Sequence, residues 1–235
     1  MHFEAIAFDA DDTLWHSETF YQQAQARLVE LLAPYGPGRE EVLDTLHRIE
    51  MGNLAPFGFG IRGFTLSMVE AAIEVTGGRV NPRDIRTIVD MGRAMVNHEV
   101  ELIDGSAEAV AALAQTHPLL LITKGDLSDQ QRKIDASGLG EYFQQVEIVS
   151  DKTPRVYDRL LKRHGLNPER FLMIGNSMRS DVLPVLQLGG WAVHVPYPLT
   201  WAYENSDPPR GHRRFFEIER LDQLPALVRR LEAEA

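Results

Sequence analysis

The sequence predicts an α/β protein, with a doubly wound, Rossmann-like parallel sheet as its core and an inserted α-helical cap domain. Short apolar runs recur along the chain and are typical of strands buried on both faces. Helical patterns separate these runs, which favours parallel strands joined by crossover helices. The segment 15–102 shows helical patterns and no convincing strand. We therefore predict a core domain made of 1–14 and 103–235, and an inserted helical domain at 15–102.

The predicted strands of the core share a run of apolar residues that does not alternate with polar ones. The first, Ala5–Phe8, stops abruptly at a polar turn. Such a run fits a strand that is covered on both faces. The remaining runs, of which 146–149 is the weakest, are 119–122, 146–149, 171–174, 191–195 and 215–218.

The helices between these strands are predicted from composition and end signals. The stretch 108–115 is rich in alanine. Thr153 resembles an N-cap, because Pro154 occupies the first helical position that follows it. The pattern also predicts one helix over 178–188 and a closing helix from Leu221.

The inserted segment is predicted to consist of helices joined by loops. Apolar residues between 20 and 31 fall on one helical face, and a later helix begins at Asn81 and Pro82. Between them, the segment 53–63 is dense in glycine, which favours a loop.

Composition and charge exclude several classes of protein. Of 235 residues, 44% are hydrophobic and 25% charged, which is ordinary globular composition. The absence of cysteine excludes disulfides, thiolate metal sites and a cysteine nucleophile. A net charge of −10 disfavours nucleic acid and anionic lipid as partners. No run of about 18 apolar residues and no signal sequence is present, so we expect a cytoplasmic protein without membrane partners.

Asp9, Asp11 and Thr13 follow the first predicted strand directly. In open parallel sheets, ligands bind beyond the carboxyl ends of the strands. Two carboxylates leaving such a strand can hold a divalent cation, or one can attack phosphorus while the other moves a proton. The alternative interpretation is a pair of solvated loop aspartates.

Two further candidates follow later strands. Thr123, which precedes Lys124 and a glycine, can donate its hydroxyl to a phosphate oxygen, although alone it would be interpreted as an ordinary turn residue. Lys152 stands just before the helix that begins at Pro154 and could neutralise a phosphoryl group and an attacking carboxylate together. The alternative for Lys152 is a solvated lysine at a helix start.

Asn176 and Asp181 follow the run 171–174 and offer oxygen ligands at the mouth of the same sheet. Hard cations such as Mg²⁺ prefer oxygen ligands. The alternative is an ordinary strand–loop–helix turn with Asp181 in the first helical turn.

Together and in this order, the aspartate pair, the threonine, the lysine and the Asn–Asp pair resemble the four motifs of the haloacid dehalogenase superfamily. The motifs span Asp9 to Asp181, and the helical insertion lies where the family carries its mobile C1-type cap. The resemblance implies a phosphatase-like hydrolase that uses Mg²⁺.

The resemblance also implies a role for each residue. Asp9 matches the nucleophile that becomes an aspartyl-phosphate, and Asp11 matches the general acid and base. Thr123 matches the hydroxyl that holds the phosphate, and Lys152 the lysine that stabilises the charges of nucleophile and phosphoryl group. The magnesium residues that the resemblance implies are Asn176, Asp181, the Asp9 carboxylate and the Asp11 carbonyl.

Some positions depart from the family pattern. Asp12 stands where these families often have glycine, and Asn176 stands where they often have aspartate, so we expect weaker magnesium binding. Which of Asn176 and Asp181 contacts the metal is open. Lys124 replaces a more usual asparagine, and either adds positive charge near the phosphate or points to solvent. Arg62, in the predicted loop, either meets a substrate anion or belongs to a loop packed for structural reasons.

The residues also distinguish among the chemistries of the superfamily. Dehalogenases typically lack the second aspartate, whereas Asp11 is present here. Phosphonatases of this family use a lysine of the cap, and 15–102 contains none. Transport ATPases need membrane-spanning helices, and this sequence has no apolar run long enough to form one. Hydrolysis of a small-molecule phosphate monoester is the leading prediction. A phosphomutase and a non-catalytic phosphate- or partner-binding member are the alternatives, and the sequence indicates no oligomeric state.

Overall fold

A computed structural model describes residues 2–234. It divides into two compact units: 1–18, 100–124 and 130–235 form the first, and 19–99 and 125–129 form the second. The chain leaves the first unit soon after its first strand and returns to it before the second. Among residues 2–234, no helix is both long and apolar enough to cross a bilayer.

The first unit is built on a six-stranded sheet in which every neighbouring pair is parallel. The strand order is β3-β2-β1-β4-β5-β6, which places β1 in the interior between β2 and β4. The strands are β1 (Ala5–Phe8), β2 (Leu119–Lys124), β3 (Gln145–Val149), β4 (Phe171–Gly175), β5 (Trp191–His194) and β6 (Phe215–Glu217).

Apolar side chains cover both faces of this sheet, which explains why its strands do not alternate. Along β1, Ile6 and Phe8 belong to one buried cluster, whereas Ala5 and Ala7 belong to another on the opposite face. The predicted α/β fold with a parallel Rossmann-like sheet is therefore confirmed.

Of the four helices predicted for this unit, all but one begin close to their predicted positions. The helices of the unit are α5 (Ser106–Ala114), α6 (Leu127–Ser137, whose first residues belong to the second unit), α7 (Pro154–His164), α8 (Leu183–Gln187) and α9 (Leu224–Glu234). Thr153 caps α7 as predicted, because its side chain accepts a hydrogen bond from the Val156 amide.

The exception is the segment 178–188, for which a single helix was the wrong prediction. It starts as a π-helical turn over Met178–Val182 and becomes α-helical only in α8. Pro184 has no amide hydrogen, so it cannot donate to the Ser180 carbonyl four residues earlier. That carbonyl instead accepts from the hydroxyl of the buried Tyr157 at 3.1 Å.

The second unit is helical. It contains α1 (Glu18–Leu32, from residue 19), α2 (Arg39–Phe57), α3 (Ile61–Val75) and α4 (Pro82–Val96), and these helices enclose their own buried apolar cluster. The Asn81 side chain caps α4 through the amides of residues 83 and 84, as the sequence indicates.

The prediction of a loop over 53–63 was wrong. Helix α2 continues through Pro56 to residue 57, and only 58–60 separate it from α3. A proline near the end of a helix removes a single backbone hydrogen bond, so the helix tolerates it. The break falls at Gly58 and Gly60, whose φ angles of 75° and 115° other residues rarely adopt.

Candidate active site

The polar residues predicted from the sequence follow three neighbouring strands of the first unit. Asp9 follows β1, Thr123 lies near the end of β2, and Asn176 follows β4. Since the order β2-β1-β4 makes these strands adjacent and parallel, their carboxyl ends meet at one edge of the sheet.

Asp9 lies at the centre of this edge and is only 6% exposed. One of its carboxylate oxygens accepts a hydrogen bond from the Lys152 ammonium, and the other accepts from the Thr13 hydroxyl at 3.1 Å. The Asn176 side-chain oxygen lies 3.2 Å from that hydroxyl. Thus the first and fourth motifs meet through Thr13.

Lys152 also donates to Asp181, with 2.7 Å between Nζ and Oδ1. The second oxygen of Asp181 accepts from the Ser177 amide at 3.0 Å, so both carboxylate oxygens are engaged. The approach of Asp181 needs a glycine at 175, because a Cβ there would collide with the carboxylate. The structure therefore brings together Asp9, Lys152 and Asp181, three of the predicted site residues.

The charges in this cluster do not balance. Burial raises the pKa of Asp9 to about 7, an increase that Lys152 opposes and Asp181 reinforces. Burial likewise raises the pKa of Asp181 against the effect of Lys152. Burial alone would lower the pKa of Lys152, but the two carboxylates raise it above its ordinary value. Two buried carboxylates thus share one ammonium, and this excess of negative charge suits a divalent cation with oxygen ligands.

Asp11 lies in a different environment. The Lys133 ammonium contacts both of its carboxylate oxygens, at 2.6 and 2.7 Å. The Gln130 amide donates to it at 2.8 Å and the Trp15 indole at 2.7 Å. Burial acts to raise the pKa of Asp11, but Lys133 and these hydrogen bonds outweigh it, so the pKa lies below its ordinary value.

Gln130 and Lys133 were not among the residues selected from the sequence. They lie three positions apart on α6 and so project from the same side of the helix. Gln130 also accepts from the Thr123 hydroxyl at 3.1 Å, and it therefore links Thr123 to Asp11. The spacing of 130 and 133 was visible in the sequence, but it did not indicate that this side faces Asp11.

Lys124 does not point into solvent. Its ammonium donates to the Ser180 hydroxyl at 3.0 Å and pairs with Glu204, a buried carboxylate that sequence analysis did not select. Glu204 also accepts from the hydroxyls of Ser177 and Ser180. Lys124 therefore links Ser180, in the segment after β4, to Glu204. Its part in phosphate binding stays a prediction.

Arg62 belongs to the second unit, where its guanidinium pairs with Asp126. Its side chain is about two-thirds exposed, at 65%. The pairing connects α3 to the 125–129 segment of the same unit, and the role of Arg62 in binding a substrate anion stays a prediction.

Asp12 shows why glycine suits the position after Asp11. Its φ of 61° lies in the left-handed region, which non-glycine residues seldom adopt. The Asp12 carboxylate accepts from the amides of Ser17 and Glu18, at 2.8 and 3.0 Å, so it satisfies backbone donors where α1 begins. Burial raises the pKa of Asp12 to about 7.

The match to a family model agrees with this site. Residues 3–189 match the haloacid dehalogenase-like hydrolase family, and this range includes all the site residues discussed above except Glu204. The chain belongs to this family. The prediction of a hydrolase of the haloacid dehalogenase superfamily is confirmed.

Individual relatives show the same resemblance over almost the whole chain. A haloacid dehalogenase-like family hydrolase from Xanthomonas campestris is 42% identical, with a TM-score of 0.87 over 99% of this chain and 97% of that one. A glyceraldehyde 3-phosphate phosphatase from Methanothermobacter thermautotrophicus is 25% identical, over 85% of this chain and 88% of its own. The human N-acylneuraminate-9-phosphatase is 22% identical, over 98% and 95%.

Proposed function

We propose that this protein is a Mg²⁺-dependent phosphatase that hydrolyses a small-molecule phosphate monoester through an aspartyl-phosphate on Asp9. The observation that carries the proposal is the buried Asp9 carboxylate, which Lys152 and Thr13 hold at the carboxyl edge of the sheet. The two named relatives above are phosphatases of phosphorylated metabolites, which supports phosphate monoesters as the substrate class.

In the first half of the reaction, an Asp9 oxygen attacks phosphorus and the bond to the ester oxygen breaks. Asp11 gives its proton to that oxygen, so the alcohol leaves neutral. Lys152 offsets the negative charges of Asp9 and of the phosphoryl group, which would otherwise repel each other. Thr123 donates its hydroxyl to a phosphate oxygen.

In the second half, water attacks the phosphorus of the aspartyl-phosphate, and the bond to Asp9 breaks. Asp11 takes the proton of that water, which restores both aspartates and releases inorganic phosphate. Phosphoryl transfer depends mainly on positioning and charge neutralisation, and this site offers both.

Asp9, Asn176, Asp181 and the Asp11 carbonyl are the residues that would hold the magnesium ion. When bound, the ion supplies positive charge to the phosphoryl oxygens. The charge imbalance of the cluster fits this role, because the Asp9 and Asp181 carboxylates share the Lys152 ammonium.

The proton transfer requires Asp11 to be protonated first, whereas Lys133 holds it ionised in this structure. A phosphate dianion beside Asp11 would oppose Lys133 and raise the proton affinity of the carboxylate. We infer that substrate binding itself prepares Asp11 to act as the acid.

We also propose that the helical unit is the cap predicted from the sequence, with Arg62 as a candidate for binding a substrate anion. The expected substrates then carry a second anionic group, such as a carboxylate, besides the phosphate. Arg62→Ala would raise KM for such substrates and leave KM unchanged for an aryl phosphate whose aryl group is uncharged.

The test is release of inorganic phosphate from a panel of metabolite and aryl phosphates, with and without Mg²⁺. We expect turnover with Mg²⁺, its loss on exhaustive chelation, and recovery on adding Mg²⁺ back. Asp9→Asn is the matched control, because an amide of the same size is a very poor nucleophile, and we expect its activity to fall by at least about 10⁴-fold.

The other outcomes distinguish the alternatives. Activity that survives chelation would exclude the magnesium assignment, and near-normal turnover by Asp9→Asn would exclude the covalent intermediate. Transfer of phosphate within a sugar phosphate, without release, would identify a phosphomutase. No reaction with any ester would favour a non-catalytic phosphate-binding member.

A further inference from the structure

Two histidines and a glutamate meet at the opposite, amino edge of the sheet. His2 precedes β1 and His117 precedes β2, and these strands are parallel neighbours, so the residues before them lie side by side. Glu232, in the last turn of α9, completes the group. We call these three residues the amino-edge cluster.

The three side chains converge on one point. Glu232 Oε1 lies 2.8 Å from His2 Nδ1 and 3.0 Å from His117 Nε2. The two imidazole rings are stacked, with 4.7 Å between their centroids. All three ligand atoms lie within 4.8 Å of one another. Each of these atoms is of a kind that coordinates metal ions in proteins.

His117 is held in one orientation. Its side chain is only 4% exposed, and its Nδ1 lies 2.8 Å from the Thr116 hydroxyl. That hydroxyl also donates to the Leu113 carbonyl at 3.3 Å, and its contact with Nδ1 leaves Nε2 facing Glu232. A partner on the second ring nitrogen is a regular feature of metal-binding histidines.

We propose that the amino-edge cluster is a binding site for a divalent transition cation such as Zn²⁺, with His2, His117 and Glu232 as its protein ligands. The proposal does not depend on the phosphatase activity. At about 3.3 Å per residue, the strand between His2 and Asp9 separates this site from the candidate active site by about 20 Å.

The ligand set selects the class of metal. Imidazole nitrogens suit Zn²⁺, Ni²⁺ and Cu²⁺, whereas Mg²⁺ prefers an all-oxygen set. In a tetrahedral zinc site with bonds of about 2.0–2.1 Å, neighbouring ligand atoms lie about 3.3 Å apart. The two separations from Glu232, 2.8 and 3.0 Å, need only a small expansion to reach this value, and the two histidine nitrogens lie within 4.8 Å of each other.

The accessibility of the cluster also favours metal entry. The His2 side chain is 58% exposed, so it can turn toward an incoming ion and leave a position for water. The Glu232 carboxylate is held in place by the Phe3 amide, which donates to Oε1 at 2.9 Å.

A metal here would join the segment before β1, the turn before β2 and the C-terminal helix α9. We therefore expect it to act on stability and not on turnover. Binding to the folded chain would raise the thermal midpoint with increasing zinc concentration, as for any ligand that prefers the native state.

The experiment is calorimetric titration of the full chain, purified without a histidine tag, with Zn²⁺ in saturating Mg²⁺. We expect His2→Ala and Glu232→Gln each to bind one equivalent of zinc fewer than the wild type. His164→Ala is the matched control, because it removes a histidine from a similar pair with Glu147 and should leave the stoichiometry unchanged. Thr116→Val should weaken binding by about 10- to 100-fold.

Cobalt and thermal measurements give independent readouts. Co²⁺ at this site should show a visible absorption spectrum that His2→Ala abolishes, and zinc should raise the thermal midpoint of the wild type but not of His2→Ala. Since His2 lies at the surface, this variant is expected to fold and to turn over phosphate esters normally. Equal zinc stoichiometry in the wild type, His2→Ala and Glu232→Gln would overturn the proposal.

Discussion

Asp9 and Asp11 are two residues apart, and each contacts a lysine, yet their environments act in opposite directions. Asp9 shares Lys152 with a second carboxylate, and its pKa is raised to about 7. Asp11 receives Lys133, a glutamine amide and an indole N–H, and its pKa is lowered. The balance of charges and donors around a buried carboxylate, and not burial alone, therefore decides the direction of its pKa shift.

The difference between the two aspartates corresponds to two chemical needs. The Asp9 environment is short of positive charge, which a cation or a substrate complex can supply. The Asp11 environment is already balanced, which fixes the position of the carboxylate. Substitutions that change the charges around either aspartate test this distinction.

After the loss expected for Asp9→Asn, the largest effect should come from Asp11→Asn, which keeps the size of the side chain but cannot transfer a proton. General acid catalysis contributes about 10²–10⁴-fold, and an alkoxide needs the proton more than an aryl oxide does. We expect a loss in this range with alkyl phosphates, and a smaller loss with aryl phosphates. Steady-state rates with both ester classes measure it, and equal losses would mean that Asp11 does not act as the acid.

The same variant should slow breakdown of the aspartyl-phosphate, because water is no longer activated. With an aryl phosphate, we expect a burst of phenol followed by slow turnover. Rapid-quench measurement of the burst provides the check, and wild-type enzyme serves as the control.

The next effect should come from Lys152→Met, which leaves Asp9 and Asp181 without their shared cation. Removing an electrostatic stabiliser of the transition state typically costs about 10²–10³ in kcat. We expect kcat to fall by this factor. We also expect Mg²⁺ to raise the thermal midpoint of the variant more than that of the wild type. Lys162→Met is the control, since Lys162 is exposed and pairs with Asp158 at the surface.

Lys133→Met should have a smaller effect, because it changes the position of Asp11 without removing it. Hydrogen bonds to charged groups contribute about 1.5–3 kcal/mol, which corresponds to about 10- to 100-fold. We expect kcat for alkyl phosphates to fall in this range with little change in KM, and Lys133→Arg to restore part of it. A change in KM alone would instead indicate that Lys133 binds substrate.

The smallest expected effect concerns stability in the absence of metal. Because the pKa of Asp9 is higher in the folded than in the unfolded protein, folding takes up protons between about pH 4 and 7, and stability decreases as pH rises through that range. Asp9→Asn should therefore be more stable than the wild type above pH 7. A gain of about 1 kcal/mol would raise the thermal midpoint by about 2–4 °C.

Thermal unfolding in chelator at pH 4 and pH 8 measures this difference. Near pH 4 the two midpoints should differ least, because Asp9 is then protonated in the folded protein and about half protonated in the unfolded protein. A destabilised Asp9→Asn protein at pH 8 would contradict the raised pKa.

Much of the fold could be predicted, because strands buried on both faces leave uninterrupted apolar runs. The runs at 5–8 and 171–174 match β1 and β4 closely. Predictions failed where a distant side chain or a glycine conformation contributes. In the π-helical turn before α8, a carbonyl accepts from Tyr157, which is distant in sequence, and α2 ends where two glycines have positive φ.

In the candidate site, too, some residues could be selected from local sequence and others could not. Asp9, Thr123, Lys152 and Asn176 were predictable because each lies next to the end of a strand or the start of a helix. Gln130 and Glu204 were not, because each becomes a site residue only through long-range contacts with Asp11 and Lys124. No local pattern specifies such contacts.

The hydrogen bond from the Tyr157 hydroxyl to the Ser180 carbonyl has a consequence beyond the helix that contains Ser180. Pro184 leaves a carbonyl without its usual partner, and a side chain from another helix takes that place. Tyr157 lies on the helix that begins just after Lys152, and Ser180 immediately precedes Asp181. The hydrogen bond between Tyr157 and Ser180 therefore links the helix that follows Lys152 to the turn that contains Asp181. It helps to hold the Lys152 ammonium and the Asp181 carboxylate in position from outside the site.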